Sequence, residues 1–423
     1  MNTLAEEARR LDEQDPLAEF RVQFARPLAA DGSPALYLCG HSLGLMPLSA
    51  PAQVQQELED WARLGVRGHH EARRDWIGYA ERLNPSLARL VGASEHEVVA
   101  MNSLSVNLHL LMASFYRPAG ARRCIVIEAG AFPSDRHAVA SQIQWHGLDA
   151  GDALIELAPS PGTEDSDEAG LEDLLARRGS EIALVLWPGV QYRSGRAFDL
   201  ARIAAAARRA GAHSGFDLAH AIGNLPLALH DAGADFAAWC SYKYLNGGPG
   251  ALAGAFVHSR HRRADLPGLA GWWGHDPATR FRMGPDFIPA PGAAGWQISN
   301  PPILSAAPLL ASLPLFDSAG MVALRRKSLR MTTLLLVELD QHFRGHVQLL
   351  TPRDESLRGN QLSLRLTAGR DAGRRAFDSL GRQGVVADWR EPDVLRVGFA
   401  PLYNSYLDVA RFVGALASAL ERG

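Results

Sequence analysis

Short β-rich runs alternate with longer helical segments through the middle of the chain, and this alternation constrains the fold more than any other feature. Patterns typical of strands occupy residues 124–128, 153–157, 182–187, 212–217, 235–242 and 253–258. Helical patterns occupy residues 133–145, 168–178 and 200–210 between them. Strands and helices that alternate at this spacing favour a mostly parallel sheet wrapped by helices. The sequence therefore predicts an α/β fold with its ligand beyond the carboxyl ends of the strands.

The flanking regions predict two further units. A helical pattern covers residues 50–83, with an interruption at Gly65 and Gly68. Residues 264–308 form a long segment rich in Gly, Pro and Trp, which favours an ordered binding role. Beyond residue 309, helices at 324–343, 374–380 and 407–420 with strands at 361–366 and 394–399 predict a smaller α/β domain. We expect an N-terminal segment (1–50) packed on the small domain, a large domain (51–308) and a small C-terminal domain (309–423).

Composition excludes several classes of function. The 43 Lys and Arg residues are balanced by 46 Asp and Glu, so the chain has no broad positive field for nucleic acid. The start of the chain is charged, and no apolar run approaches the roughly 20 residues that span a bilayer. Three widely separated cysteines predict a reducing, cytoplasmic location, and neither an HExxH motif nor a Cys/His cluster suggests a metal.

Lys243 and Asp217 carry the strongest chemical signal. Lys243 follows the apolar run 236–240, where desolvation favours a neutral, nucleophilic amine, and Asp217 ends the strand predicted 26 residues earlier. Pyridoxal phosphate needs an amine for a Schiff base and a carboxylate that keeps its ring nitrogen protonated. A lone lysine at a strand end more often faces solvent and a lone aspartate more often caps a helix. The two together, at strand ends of one sheet, favour the cofactor.

Two further segments fit the same cofactor. Residues 102–107 read as a helix start, where Leu104 and Ser105 would offer free N–H groups to a phosphate, although a plain helix cap has the same pattern. Phe132 precedes a second helix start and could stack on a flat ring. Residues 248–253 match a GxGxxA dinucleotide motif, but a strand pattern follows them, whereas that motif must open a helix.

Taken together, the motifs resemble the kynureninase family, which are fold-type-I pyridoxal-phosphate enzymes of the aminotransferase class V group. The resemblance lies in residues 37–44, 102–112, 132–135, 215–223, 239–247, 271–281, 298–302 and 401–404. It implies hydrolysis of L-kynurenine or 3-hydroxy-L-kynurenine at the β–γ carbon bond, which gives L-alanine and anthranilate or 3-hydroxyanthranilate in tryptophan degradation. Ser105 stands where the family pattern has threonine, and it keeps the hydroxyl donor.

The same resemblance implies roles for individual residues. Lys243 would hold the cofactor, Asp217 with His220 would set its ring nitrogen, and Tyr242 is a hypothetical proton donor to the departing product. The other residues implied at the cofactor are Leu104, Ser105 and Tyr242 at its phosphate, Phe132 and Asp135 at its ring, and Trp272 and Asn300 from the neighbouring subunit of a homodimer.

Substrate contacts are implied for Ser42, His69, Asn300 and Arg396. Arg396 suits a bidentate clamp on the α-carboxylate. We also predict that His69 and Asn300 bind a ring hydroxyl, which would favour the 3-hydroxy substrate.

Two alternatives remain open from the sequence. Another class V enzyme, such as an aminotransferase or a cysteine desulfurase, shares the cofactor, but a desulfurase needs a mobile cysteine in its C-terminal part and none follows Cys240. A catalytically silent protein that binds a kynurenine-like ligand is the other. Retention of both Lys243 and Asp217 argues against it.

Overall fold

The computed structural model describes residues 2–160 and 162–421. The strands in these residues are β1 (Leu36–Tyr37), β2 (Val98–Ala100), β3 (Cys124–Glu128), β4 (Leu154–Leu157), β5 (Ile182–Pro188), β6 (His213–Asp217), β7 (Phe236–Trp239), β8 (Gly254–Val257), β9 (Val347–Leu349), β10 (Gln361–Leu366), β11 (Val385–Val386), β12 (Asp388–Arg390) and β13 (Val394–Gly398). The α-helices are α1 (Asn2–Glu13), α2 (Ala50–Leu64), α3 (Gly68–Glu71), α4 (Asn84–Val91), α5 (Leu104–Phe115), α6 (Pro133–Trp145), α7 (Ala150–Ala153), α8 (Glu168–Arg178), α9 (Leu200–Arg209), α10 (Leu229–Ala232), α11 (Ile303–Ala306), α12 (Leu309–Ala319), α13 (Met321–His342), α14 (Arg370–Arg382) and α15 (Tyr406–Glu421).

A seven-stranded sheet forms the centre of the large domain. Its strand order is β2-β8-β7-β6-β5-β3-β4, with parallel pairing from β7 through β4 and antiparallel pairing of β8 with both neighbours. Strands β3, β6, β7 and β8 are buried almost throughout because helices cover both faces, as the unbroken apolar runs predict. The predicted α/β fold with a mostly parallel sheet is confirmed.

The helical pattern of residues 50–83 is interrupted at Gly65, as the sequence predicts. Helix α2 ends at Leu64, and Gly65 has a φ of 54°, which only glycine adopts readily. Beyond it lie short helical turns and α3. The sequence pattern missed β2, a three-residue strand at the edge of the large sheet. A run this short carries too little periodicity to be recognised.

The small domain has its own sheet and core. Strands β12, β13, β10 and β9 form an antiparallel sheet in that order, and α1 and α15 pack against each other. Strand β1 pairs with β11, and Leu4, Leu36 and Leu38 join the small-domain core. Helix α12 contributes Leu309 and Phe316 to the large-domain core instead. The domain boundary at residue 309 stays a prediction, and these contacts favour a position further along the chain.

The long Gly-, Pro- and Trp-rich segment is ordered by packing rather than by regular structure. Its Trp296 is 2% exposed and donates from Nε1 to Ser114 Oγ at 3.0 Å. The guanidinium of Arg280 lies 4.3 Å from the ring centroid of Trp273.

Among the described residues, no single helix is long and apolar enough to cross a membrane. One helical pair, Ile303–Ala319 and Met321–His342, bent by 81°, passes on length and composition alone.

Candidate active site

The topology of the large sheet brings Asp217 and Lys243 into one cleft. Strand β6 ends at Asp217, and its parallel neighbour β7 ends four residues before Lys243, so both side chains lie at the same edge of the sheet. The cleft encloses about 870 Å³, including the part open to solvent. Its lining includes Ser105, Phe132, Asp135, Asp217, His220 and Lys243. This volume suits a small cofactor together with a substrate.

The chain contains only two lysines, and their environments differ sharply. Lys327 is 3% exposed, lies 2.7 Å from Asp15 Oδ2 and donates to the carbonyl of Pro401 at 2.8 Å. Lys243 is partly exposed, and its Nζ lies in the cleft 2.9 Å from Nε2 of His220. Lys243 is therefore the one lysine side chain in the sequence that is placed to react with an aldehyde.

The loop that carries Lys243 is held by close packing against an N-terminal motif. Gly44 N–H donates to the carbonyl of Tyr242 at 2.9 Å, and Asn246 N–H donates to the carbonyl of Lys243 at 3.0 Å. A side chain at Gly44 would overlap the Lys243 carbonyl and Asn246. Asn246 itself has a φ of 55°. The glycine at position 44 thus permits the backbone contact that fixes the lysine.

Asp217 and Asp135 both line the cleft and interact with each other. Asp217 is 7% exposed and its Oδ1 accepts from Ala219 N–H at 2.7 Å. Burial, together with the adjacent charge of Asp217, raises the pKa of Asp135 well above its usual range. With Asp135 protonated, the pair carries no more than one negative charge, which suits a single protonated ring nitrogen. The predicted placement of both residues at the ring is consistent with this geometry.

His220 has a different partner from the one that its sequence position suggested. We expected it beside Asp217, but its Nε2 pairs with Lys243. Its Nδ1 is buried and has no hydrogen-bond partner in residues 2–160 and 162–421. Burial, and then the charge of Lys243, lower the pKa of His220 well below its usual range. The imidazole ring is therefore neutral, and it contacts the Lys243 amine rather than the Asp217 carboxylate.

Two helix starts converge at the other end of the cleft. Helices α5 and α6 begin at Leu104 and Pro133, and Ser105 Oγ lies 2.8 Å from Ser134 Oγ. Free N–H groups in a first helical turn and two hydroxyls form a suitable phosphate site. Ser134 was not predicted to take part. The proline at the first position of α6, directly before it, was the available signal.

Aromatic side chains flank the amine. The Lys243 Nζ lies 5.9 Å from the ring centroid of Phe132 and 6.0 Å from that of Tyr242. Phe132 is 39% exposed and makes an edge contact with Tyr192 at 5.1 Å. It has room to stack on a flat ligand.

Four predicted residues lie outside the lining of the cleft within one chain. His69 packs on Trp76 with ring centroids 5.5 Å apart, Trp272 contacts Phe281 at 5.5 Å, and Ser42 is partly buried. Asn300 is exposed. For Trp272 and Asn300 this agrees with a role at a neighbouring subunit, and the roles of all four stay predictions.

Arg396 also does not line the cleft. It lies on β13, is 0% exposed, donates from one terminal nitrogen to the carbonyl of Tyr192 and forms an ion pair with Asp388 through the other. Its Nε has no partner among the described residues. Asp388 was not predicted, since no motif marks it in the sequence.

The donor set fits pyridoxal phosphate. One cleft holds a lysine amine, a buried carboxylate and two helix starts. The buried hydroxyl of Ser241 and the Nδ1 of His220 have no hydrogen-bond partner among the residues that the structure describes. A model of the aminotransferase class-V family matches residues 37–268. The Escherichia coli cysteine desulfurase CsdA superposes with a TM-score of 0.74 at 19% identity over 96% of this chain and 98% of its own. The cystine C–S lyase C-DES, solved with cysteine persulfide, gives a TM-score of 0.73 at 18% identity over 90% and 97%. Fold and cleft define a fold-type-I pyridoxal-phosphate enzyme.

Similar sequences identify one family within this class of pyridoxal-phosphate enzymes. A model of the kynureninase C-terminal domain matches residues 324–416. Proteins named kynureninase from Xanthomonas oryzae pv. oryzae (54% identity, 96% of this chain and 95% of that protein) and Myxococcus xanthus (55%, 97% and 96%) match almost end to end. The chain belongs to the kynureninase family, and it is an enzyme that hydrolyses a carbon–carbon bond.

Proposed function

We propose that this enzyme hydrolyses L-kynurenine or 3-hydroxy-L-kynurenine between the β and γ carbons, in tryptophan degradation. Water supplies the hydroxyl of the aryl acid, and the alanine portion takes up a proton at its β carbon. The single observation that carries the proposal is the 54% identity over 95% of the length of relatives named kynureninase. The cleft that holds Lys243 and Asp217 together supports it.

Each residue of the site has its own role in the proposed reaction. Bound pyridoxal phosphate supplies an acceptor for the electron pair that is released at the substrate α carbon. Asp217 would hold its ring nitrogen, the starts of α5 and α6 would hold its phosphate, and Phe132 would lie against its ring. Lys243 Nζ would hold its aldehyde carbon, and the same amine would remove the proton from the substrate α carbon. Neutral His220, 2.9 Å from this nitrogen, orients it.

Tyr242 is the proposed proton donor to the β carbon of the alanine portion. Burial, and then the neighbouring Cys240, raise the pKa of its phenol above the usual range, so the phenol keeps its proton at neutral pH. The ring lies beside the Lys243 amine. A Tyr242→Phe variant that retained full turnover in single-turnover kinetics would rule this role out.

On the substrate side, Arg396 would bind the α-carboxylate, and Ser42, His69 and Asn300 would contact the rest of the molecule. Support for Arg396 comes from its buried Nε, a donor for which the described part of the chain offers no acceptor.

We also propose a homodimer in which Trp272 and Asn300 complete the site of the neighbouring subunit. Both are exposed in the single chain. An apolar groove that includes Leu43, Met46 and Leu58 lies beside the lysine loop, and an exposed patch of this kind typically marks an interface.

Mixed dimers test this arrangement. Neither Lys243→Ala nor Asn300→Ala should be active alone, whereas a random mixture should recover about a quarter of wild-type activity, because half of the dimers then hold one intact site. No recovery would contradict the shared site.

A cytoplasmic location is a further proposal, supported by three free cysteines, Cys39, Cys124 and Cys240.

Borohydride reduction of the holoenzyme tests the central assignment. Because the chain has two lysines, one cofactor-labelled peptide that contains Lys243 is expected, with loss of activity in proportion to labelling. Lys327→Arg serves as the control and should be labelled in the same way. Release of anthranilate and alanine from kynurenine, without release of sulfide from cysteine, separates the proposal from a desulfurase. Labelling without any product would support a silent binding protein instead.

A further inference from the structure

The guanidinium of Arg396, which is proposed to bind the substrate carboxylate, is enclosed by the protein. Arg396 is 0% exposed, and its two terminal nitrogens are occupied by the Tyr192 carbonyl and by Asp388. A guanidinium that binds a substrate carboxylate must present at least one pair of N–H groups to it. One of the present partners must therefore release Arg396 before the substrate can bind it.

Asp388 is the partner that can be exchanged. The Tyr192 acceptor is a backbone carbonyl, whereas Asp388 holds Arg396 through a side chain. Asp388 and Arg396 are directly opposite each other on the antiparallel strands β12 and β13. Their backbones are fixed by the ladder, so a rotation of one side chain suffices to separate the charges.

A second cation, Arg390, already pairs with Asp388. Arg390 lies two residues further along β12, on the same face, and its terminal nitrogen is 3.0 Å from Asp388 Oδ2. The Nε2 of His41 lies 3.6 Å from the same oxygen, and neither ring nitrogen of His41 has a hydrogen-bond partner within the described residues. Asp388 would not be left as an unpaired buried charge if Arg396 moved away, which is the costly outcome for such a group.

The charges around this point are unbalanced. Two guanidinium groups, those of Arg390 and Arg396, contact the single carboxylate of Asp388. A further carboxylate is electrostatically favoured there, and it would also meet the unpaired Nε of Arg396.

We propose that Asp388 is a placeholder for the substrate carboxylate: it occupies Arg396 in the ligand-free enzyme and is transferred to Arg390 when the substrate carboxylate takes its place. This rests on the proposed role of Arg396 in substrate binding. Asp388 is a positioning residue that does not touch the substrate, and it lowers the affinity for every ligand that carries an α-carboxylate.

The placeholder role predicts opposite effects for two neighbouring substitutions. Asp388→Asn removes the competitor and should tighten binding of L-alanine about tenfold, within the usual range for coupled sites. Arg390→Gln removes the alternative partner of Asp388, which then holds Arg396 more firmly, and should weaken L-alanine binding severalfold. L-Alaninamide lacks the carboxylate and should show neither change. Kd values come from calorimetric titration of the holoenzyme.

Asp340→Asn is the matched control, because this exposed aspartate on α13 pairs with the exposed Arg353 at 2.6 Å. It should leave both Kd values unchanged. Weaker alanine binding by Asp388→Asn would show that Asp388 merely orients Arg396, and equal tightening for the amide would show an unspecific change. Either result overturns the proposal. If Asp388→Asn does not fold, unchanged alanine binding by Arg390→Gln also overturns it.

Failure of the proposed function has a separate signature. A wild-type enzyme that binds L-alanine more tightly than L-alaninamide but does not cleave kynurenine would refute the substrate and leave the placeholder standing. A wild-type enzyme that binds both ligands equally would refute the clamp and the placeholder together.

Discussion

The Nζ of Lys243 lies 2.9 Å from the Nε2 of His220. Burial, and then the charge of the adjacent amine, lower the pKa of this imidazole well below its usual range, so a neutral ring shares a hydrogen bond with the amine. The lysine is therefore already aimed into the cleft by a buried partner before any ligand arrives. A flexible side chain with a fixed end loses less conformational entropy when it reacts.

His220→Ala should slow the recombination of cofactor-free protein with pyridoxal phosphate. A hydrogen bond contributes about 0.5–1.5 kcal/mol, so a decrease of about 2- to 10-fold in the rate is expected. Stopped-flow absorbance at the cofactor band measures it. The exposed His342 provides the control, and a His220→Ala rate equal to that of His342→Ala would contradict the orienting role.

Asp217→Asn should leave the fold intact but lower kcat by about 10- to 150-fold, because an amide does not hold the ring nitrogen protonated. Asp217→Glu should recover part of the loss. The measurement is turnover of kynurenine at saturating cofactor. If the amide variant turned over at the wild-type rate, the assignment of Asp217 to the ring nitrogen would be wrong.

Gly44→Ala should destabilise the lysine loop, since the added methyl group overlaps the Lys243 carbonyl. Overpacking of this kind costs about 1–3 kcal/mol. Weaker retention of the cofactor on dialysis and a lower melting temperature are expected. Gly414→Ala, on α15, meets no atom within 4 Å and should be neutral or stabilising. Similar behaviour of the two variants would be evidence against the contact.

His41 should make the protein less stable as the pH falls. Burial, and then the charge of Arg396, lower the pKa of His41 to about 4, below the value of about 6.5 in an unfolded chain. The unfolded state therefore binds the proton more readily, and stability that is complete above pH 6.5 is lost between there and pH 4. At pH 5 the loss is about 2 kcal/mol. Urea unfolding at pH 7 and pH 5 should show a smaller difference for His41→Asn, but not for the exposed His70→Asn.

Discrimination between the two substrates should depend on His69 and Asn300. If both bind a ring hydroxyl, His69→Phe and Asn300→Ala should each reduce the ratio of kcat/KM for 3-hydroxykynurenine over kynurenine. A buried hydrogen bond of this type is worth about tenfold. Wild-type enzyme that shows equal kcat/KM for both substrates would refute the prediction.

The large sheet could be predicted because buried parallel strands are continuous apolar runs, and its chemistry because Asp217 and Lys243 follow such runs. Strand β10 has the predicted bounds, Gln361–Leu366. The pairing of His220 with Lys243 and the enclosure of Arg396 by Asp388 could not be predicted. Both depend on side-chain directions between elements distant in sequence, which periodicity does not encode.

The scarcity of lysine has a practical consequence. With Lys327 sealed in an ion pair, reagents that attack side-chain amines find Lys243 as their accessible target, since arginine supplies 41 of the 43 strongly basic side chains. Amine-coupled sensor chips, glutaraldehyde fixation and succinimidyl dyes would therefore modify a side chain of the site itself. Because Cys124 and Cys240 are buried and Cys39 is only partly exposed, immobilisation should rely on affinity-tag chemistry.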